Sequence, residues 1–168
     1  MNEVVFEEIR EEHLPQVLDI YTYYVLNTTA TFHTQPLSAA EMRELVFFER
    51  PPYQTFVILD SPQERGISGY VILTQYKKRE AYNQTAEVTV YLKPDCIGRG
   101  LGSLALRHIE KYARERGIHA LVATICGENA KSIHLFTRNG YFQCAHYREV
   151  GRKFGQLLDS VAYQKLIG

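Results

Sequence analysis

The sequence lacks a net charge, a cysteine framework and any long apolar run. Lysine plus arginine and aspartate plus glutamate both number 19, so the formal net charge is zero. A zero balance provides no electrostatic footprint for nucleic acid or an anionic membrane. The cysteines, Cys96, Cys126 and Cys144, are odd in number and far apart. They predict neither a disulfide framework nor a metal site, and they favour a reducing, cytoplasmic compartment.

No run approaches the ~18 apolar residues of a membrane span, and the acidic N-terminus has no apolar signal segment. What is present is typical of one globular domain. The 168 residues are 45% hydrophobic and 23% charged, and no repeat or linker divides them. We therefore expect a single domain over residues 1–168.

Hydrophobic patterns alternate between strand and helix periods along the chain. They predict strands at residues 4–9, 55–59, 68–75, 85–92, 120–126, 141–150 and 158–167, with a polar turn at 60–66. Helices are predicted at 11–26, from the capping box Ser38–Glu41 to Pro51-Pro52, from Leu101 to Gly117, and at 129–137. This order indicates a three-layer α/β domain with a mixed sheet.

The central motif is a glycine-rich turn between a strand and a helix, with glycines at 98, 100 and 102. Glycines let a ligand approach the backbone, and a helix N-terminus attracts anions such as a pyrophosphate. A Walker loop is excluded because Gly102-Ser103 lacks the lysine. A dinucleotide fingerprint is excluded because the spacing is wrong and the next strand ends in Cys126-Gly127. An acetyl-CoA turn and a plain turn remain.

Several short motifs stand in a fixed order around this turn. They are Thr31-Phe32, Arg79-Glu-Ala-Tyr82, Ala86-Glu87-Val-Thr-Val-Tyr91, Gly98-Arg-Gly-Leu-Gly102, Asn129-Ala-Lys-Ser-Ile133, Asn139-Gly-Tyr-Phe142 and Gly151-Arg-Lys-Phe-Gly155 with Asp159. Together they resemble the GNAT superfamily of N-acetyltransferases over nearly the whole chain. They are most similar to its branch of phosphinothricin and methionine sulfone/sulfoximine acetyltransferases.

The resemblance implies a mostly antiparallel sheet with helices on both faces, acetyl-CoA as co-substrate and no metal. It implies direct acetyl transfer to the primary amine of a small amino-acid-like substrate. The positions that would contact acetyl-CoA are Val90, Tyr91, Leu92, Gly98, Arg99, Gly100, Leu101, Gly102, Ser103, Asn129 and Ser132. The amides of Tyr91 and Leu92 would polarise the thioester carbonyl. Asn129 is equally typical of a helix N-cap.

Two positions depart from the superfamily pattern. Ile97 stands where the turn usually begins with Gln or Arg, and we expect Arg99 to supply the missing charge. Phe136 stands where Tyr or His usually protonates the leaving thiolate. Either the thiolate leaves unprotonated, or water or Tyr141 provides the proton.

On the acceptor side, Glu87 is the candidate general base, because an alkyl amine with a pKa near ~10 needs to lose a proton before it attacks. Phe32 and Tyr82 would form an apolar wall. Arg79, and after it Lys153, would bind a carboxylate, although the charged run around Arg79 is equally typical of a solvated loop. The segment 151–159 is expected to be a mobile or interfacial loop that contributes to a two-subunit site, which implies a homodimer.

Two kinds of alternative function stay open. The acceptor could be a protein N-terminus, a lysine, a polyamine or an aminoglycoside. The domain could also bind acetyl-CoA as a non-catalytic sensor, with Ile97 and Phe136 as signs of lost catalysis.

Overall fold

A computed structural model describes residues 3–60 and 66–168. In this part of the chain seven strands and four α-helices follow the predicted order. The strands are β1 (Val5–Glu8), β2 (Gln54–Leu59), β3 (Gly69–Gln75), β4 (Thr85–Leu92), β5 (Ala120–Cys126), β6 (Phe142–Lys153) and β7 (Gln156–Leu166). The helices are α1 (Leu14–Asn27), α2 (Ala39–Val46), α3 (Leu101–Glu115) and α4 (Ala130–Arg138).

The strands form one mixed sheet in the order β1-β2-β3-β4-β5-β7-β6. The pair β4–β5 is parallel, and the other neighbouring pairs are antiparallel. This confirms the predicted fold class. The parallel pair lies in the middle of the sheet, and α3 is the crossover that connects its two strands.

Helices cover both faces of the sheet, so the core has two parts. On one face, α1 and α2 pack on β2 and β3 through Val17, Met42, Val57 and Tyr70, all of them buried. On the other face, a larger cluster joins β2–β5 and β7 to the apolar side of α3, which includes Leu106 and Ile109. Strands covered in this way read as continuous apolar runs, which is why the pattern of β5 predicts its bounds.

The capping box of α2 is present: the Ser38 hydroxyl accepts a hydrogen bond from the Glu41 amide, and the Glu41 carboxylate accepts one from the Ser38 amide. The predicted end of this helix is wrong, since α2 stops at Val46 and Pro51-Pro52 lie in the following loop. Of the predicted polar turn at 60–66, residues 61–65 lie outside the described residues.

The segment 151–159 is not a loop. β6 and β7 continue through it and meet at a tight turn in which Phe154 and Gly155 have φ of 50° and 73°. Two consecutive residues with positive φ are the signature of the hairpin turn whose twist matches that of the strands. Gly151 and Lys153 therefore belong to β6, the outer strand of the sheet.

No helix within residues 3–60 and 66–168 is long and apolar enough to cross a membrane.

Candidate active site

The candidate active site is a cleft where two neighbouring strands part. β4 and β5 pair only over their first residues, as far as Glu87 and Val122. Both strands then continue unpaired with each other to Leu92 and Cys126, and a cavity of about 900 Å³ opens between them. This volume is typical of a small-molecule site. The unpaired edges leave main-chain N–H and C=O groups available to a ligand.

The glycine turn closes the wide end of this cleft. Gly98 and Gly100 have φ of 86° and 78°, in the left-handed region that favours glycine. Gly102 is needed for another reason, because a Cβ there would lie 2.9 Å from Cδ2 of Leu135 on α4. Gly100 is the N-cap of α3. The first amides of a helix have no intrahelical acceptor, so this turn is a site for an anion.

α4 forms the opposite wall of the cleft. The Asn129 side chain caps this helix by accepting a hydrogen bond from the Ser132 amide at 3.2 Å, and both residues line the cleft. Ser103 is tied to the end of α4, because Asn139 Nδ2 donates to its hydroxyl at 3.0 Å.

The predicted acetyl-CoA contacts come together around this cleft with one exception. Val90, Tyr91, Leu92, Gly98, Gly100, Leu101, Gly102, Ser103, Asn129 and Ser132 all line it. Arg99 does not: its guanidinium pairs with the Asp60 carboxylate at 2.9 Å and donates to the Asp95 carbonyl, beside a different cavity. In this arrangement the Arg99 side chain points to the Asp60 carboxylate instead of the cleft, while Ile97 itself lines the cleft.

Two exposed cations that the sequence analysis did not single out also line the cleft. Lys131 and Arg138 lie on α4, seven residues apart, on the same helix face as Leu135. This spacing is visible in the sequence and could have identified them. Both are cations on the same cleft as the phosphate site that the turn implies.

Glu87 lies where the two strands separate. Burial raises the pKa of its carboxyl group, and a hydrogen bond with the Thr124 side chain opposes the rise. Thr124 lies on β5 and lines the cleft, so it links the carboxylate to the cavity, which Glu87 itself does not line. A carboxylate with a raised pKa is a better proton acceptor than an ordinary one. The sequence analysis missed Thr124.

Phe136 lines the cleft and is 3% exposed, with its ring edge-on to that of Tyr141 at 4.9 Å between centroids. Tyr141 lies in the core beside Glu110 and does not line the cleft. Burial, followed by the charge of Glu110, strongly raises the pKa of Tyr141. This buried position does not favour Tyr141 as the proton donor, which is one of the three alternatives that the sequence leaves open.

The residues predicted to bind the acceptor fall into two groups. Arg79 and Tyr82 lie in the loop before β4, where the Tyr82 ring packs edge-on against Tyr76 and the Lys77 ammonium lies 5.2 Å over the Tyr82 ring. Arg79 is exposed, and no described residue forms an ion pair with it.

The second group lies near the β6–β7 hairpin. Phe32 is 41% exposed and packs against Gly151 of β6. Lys153 is only 3% exposed, and its ammonium donates a hydrogen bond to the Thr31 carbonyl at 2.8 Å. Lys153 is therefore not an open cation for a substrate carboxylate, contrary to the prediction. No hydrogen bond, ion pair or ring contact of the described residues joins this group to Arg79 and Tyr82.

Among residues 3–60 and 66–168, no group of three or more His, Cys, Asp or Glu side chains is placed to hold a metal ion.

Parted parallel strands, a glycine turn at a helix start and a half-buried carboxylate beside them are the features expected of the transferase class that the motifs predict. A sequence model of the acetyltransferase (GNAT) family matches residues 17–141. The phosphinothricin N-acetyltransferase of Streptomyces coelicolor is 35% identical, over 92% of this chain and 91% of its own. The L-methionine sulfoximine/L-methionine sulfone acetyltransferase of Pseudomonas aeruginosa is 35% identical, over 87% and 84%.

A solved structure agrees with these relatives. A GNAT superfamily phosphinothricin acetyltransferase from Sinorhizobium meliloti, in complex with AcCoA, superimposes with a TM-score of 0.92 at 27% identity, covering 100% of this chain and 90% of that one. The chain therefore belongs to the GNAT family of acetyltransferases and is an N-acetyltransferase. This confirms the resemblance to the phosphinothricin acetyltransferase branch.

Proposed function

We propose that the protein transfers the acetyl group of acetyl-CoA to the primary amine of a small amino-acid-like acceptor of the phosphinothricin, methionine sulfone or methionine sulfoximine type. The observation that carries the proposal is the cleft between β4 and β5, which is lined by the glycine turn and has the half-buried Glu87 beside it. The relatives named for these acceptors support the choice of substrate class.

The chain fits acetyl-CoA at this cleft. The amides at Gly98–Ser103 and the side chains of Lys131 and Arg138 would bind the phosphates. The amides of Tyr91 and Leu92, on the unpaired edge of β4, would orient the pantetheine arm and donate hydrogen bonds to the developing oxyanion. Asn129 and Ser132 would contact the same arm from α4.

Transfer would proceed by direct attack of the amine on the thioester carbonyl. Glu87 accepts the proton of the amine, directly or through a water held by Thr124. The carbon–sulfur bond then breaks and the CoA thiolate leaves. Because Phe136 has no proton to give and Tyr141 is buried, the thiolate leaves as such or takes a proton from water, which its pKa near ~8.5 permits.

The acceptor would lie between Phe32 and the loop that carries Arg79 and Tyr82, with Arg79 on its carboxylate. These two groups are separate within one chain, which supports a site completed by a second subunit. β6 is an outer strand whose exposed side chains include Phe142, Tyr147, Val150 and, at the hairpin turn, Phe154, between 52% and 61% exposed. An apolar outer strand of this kind favours pairing with another copy, so we propose a homodimer, to be checked by sedimentation analysis.

We also propose a cytoplasmic location, because Cys96, Cys126 and Cys144 are all free thiols in this structure and a reducing compartment suits them.

The decisive experiment measures release of free thiol from acetyl-CoA over a panel of amines. We expect turnover with methionine sulfone, methionine sulfoximine or phosphinothricin, and a kcat/KM at least about tenfold lower with spermidine, an aminoglycoside or a peptide N-terminus. A higher kcat/KM with one of the latter would reassign the acceptor. Tight acetyl-CoA binding without turnover of any amine would make the domain a sensor instead of an enzyme.

A further inference from the structure

The connection between α1 and α2 is anchored in two separate parts: a first half, Thr28–Ala30, and a second half that begins at Thr31. In its first half, Thr28 Oγ1 donates to the Tyr24 carbonyl at 2.8 Å and accepts from the Ala30 amide at 3.1 Å. Thr29 Oγ1 donates to Glu128 Oε1 at 2.6 Å. Thr28, Thr29 and Ala30 line the cleft. This half therefore has its own hydrogen bonds on the cofactor side.

The second half begins at Thr31, a polar residue that is only 7% exposed. Its hydroxyl lies 2.7 Å from Tyr21 Oη on α1. Its carbonyl accepts the hydrogen bond from Lys153 Nζ on β6, at a sequence separation of 122 residues. Tyr21 in turn packs edge-on against Tyr91 of β4, a residue of the cleft, at 5.5 Å between ring centroids.

Breaking the hydrogen bond from Lys153 to the Thr31 carbonyl would cost free energy. Burial lowers the pKa of this lysine, since an ammonium loses hydration in the interior. A carbonyl oxygen that replaces lost water is what keeps such a group tolerable. The ammonium of a buried lysine is thus hydrogen-bonded to one main-chain oxygen, that of Thr31.

What Thr31 holds in place is the next residue. Phe32 packs on the bare backbone of Gly151, where a Cβ would lie 2.6 Å from Phe32 Cε2. Gly151 and Lys153 are two residues apart on β6, so their side-chain positions lie on the same face of that strand. Thr31 and Phe32 therefore contact one face of β6 through a hydrogen bond and a close apolar contact.

We propose that Thr31 is a positioning residue for the acceptor: its hydroxyl and carbonyl fix the Phe32 ring against β6, and acceptor binding depends on it while acetyl-CoA binding does not. The inference rests on the proposed function, in which Phe32 forms a wall for the acceptor. Thr31 touches neither substrate; it acts through Phe32.

The kinetic test compares Thr31→Val with Thr31→Ser. The valine keeps the shape and removes the hydroxyl, so Tyr21 Oη retains its contact with His33 Nδ1 but loses Thr31, and the His33 amide loses the Thr31 hydroxyl as acceptor. We expect KM for the acceptor to rise about tenfold, with KM for acetyl-CoA within about twofold. The serine should restore the acceptor KM. Thr29→Val is the reciprocal control, because it removes the hydrogen bond from Thr29 to Glu128 at the cleft. It should raise KM for acetyl-CoA instead of KM for the acceptor. Equal rises of both KM values in Thr31→Val, or no rise, would overturn the proposal.

A second test needs no turnover. The chain contains 12 tyrosines but no tryptophan, so Phe32→Trp introduces a single tryptophan at this position, whose emission can be excited apart from that of the tyrosines. In that background Thr31→Val should increase quenching by acrylamide about twofold, and Thr31→Ser should leave it unchanged, while both variants still bind acetyl-CoA. Unchanged quenching in the valine variant means that Thr31 does not hold residue 32. If the wild-type protein acetylates no amine, the proposed function fails, and this measurement still decides the role of Thr31.

Discussion

We call the proposed acetyl-CoA site, in the cleft, the cofactor half of the active site, and the proposed acceptor site beside it the acceptor half; the two are built from different groups. In the cofactor half, the proposed ligand contacts are mostly main-chain groups of the glycine turn, the start of α3 and the unpaired edge of β4. In the acceptor half they are side chains that come from distant parts of the chain, such as Glu87, Phe32 and Arg79. Main-chain groups keep their positions when side chains change. We therefore expect the cofactor half to tolerate Ile97 and Phe136, and the acceptor half to be more sensitive to substitution.

The halves also differ in how they use charge. Lys131 and Arg138 in the cofactor half are exposed, so salt screens them and each contributes little alone. Glu87 and Lys153 in the acceptor half are partly or fully withdrawn from water. Burial raises the pKa of Glu87 and lowers that of Lys153, in both cases towards the neutral form. Substitutions of the buried groups should therefore have the larger effects.

The largest effect is expected for Glu87→Gln, which keeps the shape of the side chain and removes its basicity. We expect kcat to fall about 10²–10³-fold. The pKa of Glu87 is raised, so the active carboxylate is present above that raised value and is lost as the pH falls through it. The acid limb of kcat/KM should therefore lie above the usual glutamate pKa of about 4.3, and should vanish in the variant. Glu128→Gln, an exposed carboxylate at the cleft, should leave that limb in place. A Gln variant with the same rate and limb as wild type would exclude Glu87 as the base.

A somewhat smaller effect is expected for Gly100→Val, which tests whether the main chain binds the cofactor. The valine is strained at a φ of 78° by about 1–2 kcal/mol, and its side chain would obstruct phosphates bound to the amides of this turn. We expect the Kd for acetyl-CoA, measured by calorimetry, to rise about 10–100-fold. Gly117→Val is the matched control, because Gly117 has a φ of 82° with no atom near its Cβ position and lies beyond the far end of α3. It should lose similar stability and keep the Kd. Equal Kd values for the two variants would refute main-chain binding.

The same division explains what could be predicted from the sequence. Patterns that depend on local periodicity or capping correctly predict the bounds of β4 and β5 and the first residue of α2. β4 and β5 are two walls of the cofactor half, so its position follows from them. Where the sequence pattern was broken by glycine, as at Gly151 and Gly155, the interpretation as a loop was wrong. One of these glycines supplies a hairpin turn and the other makes room for Phe32.

The acceptor half could not be predicted in the same way, because its contacts join residues far apart in sequence. Nothing near Thr31 indicates that Lys153 will donate to its carbonyl. Likewise nothing near Tyr141 or Arg99 indicates that one is buried beside Glu110 and the other paired with Asp60. Motif matching placed these residues near a site, and tertiary packing decided which of them reach it.

A modest gain is expected for Ile97→Arg, which adds to the cofactor half the charge that the superfamily usually has there. Ile97 is 41% exposed and lines the cleft, so the new guanidinium can reach a phosphate without displacing the core. We expect the Kd for acetyl-CoA to fall about three- to fivefold at low salt, and the gain to shrink at 0.5 M salt, where the screening length is only a few ångströms. Ile97→Gln adds hydrogen bonding without charge and separates the two contributions. If the gain in acetyl-CoA affinity did not depend on salt, the effect of the arginine would not be electrostatic.

The smallest effect is expected for Tyr141→Phe, which removes one oxygen from the core. The hydroxyl lies beside Glu110, away from the cleft, and its raised pKa makes it a poor acid. We expect kcat and its pH profile to stay within about twofold of wild type, with a change of no more than about 1 kcal/mol in the free energy of unfolding. Phe136→Tyr is the informative partner, because it adds the same oxygen to a residue that does line the cleft. If Tyr141→Phe instead lowered kcat tenfold at unchanged stability, a proton would be reaching the thiolate from the core, and the cofactor half would depend on a side chain after all.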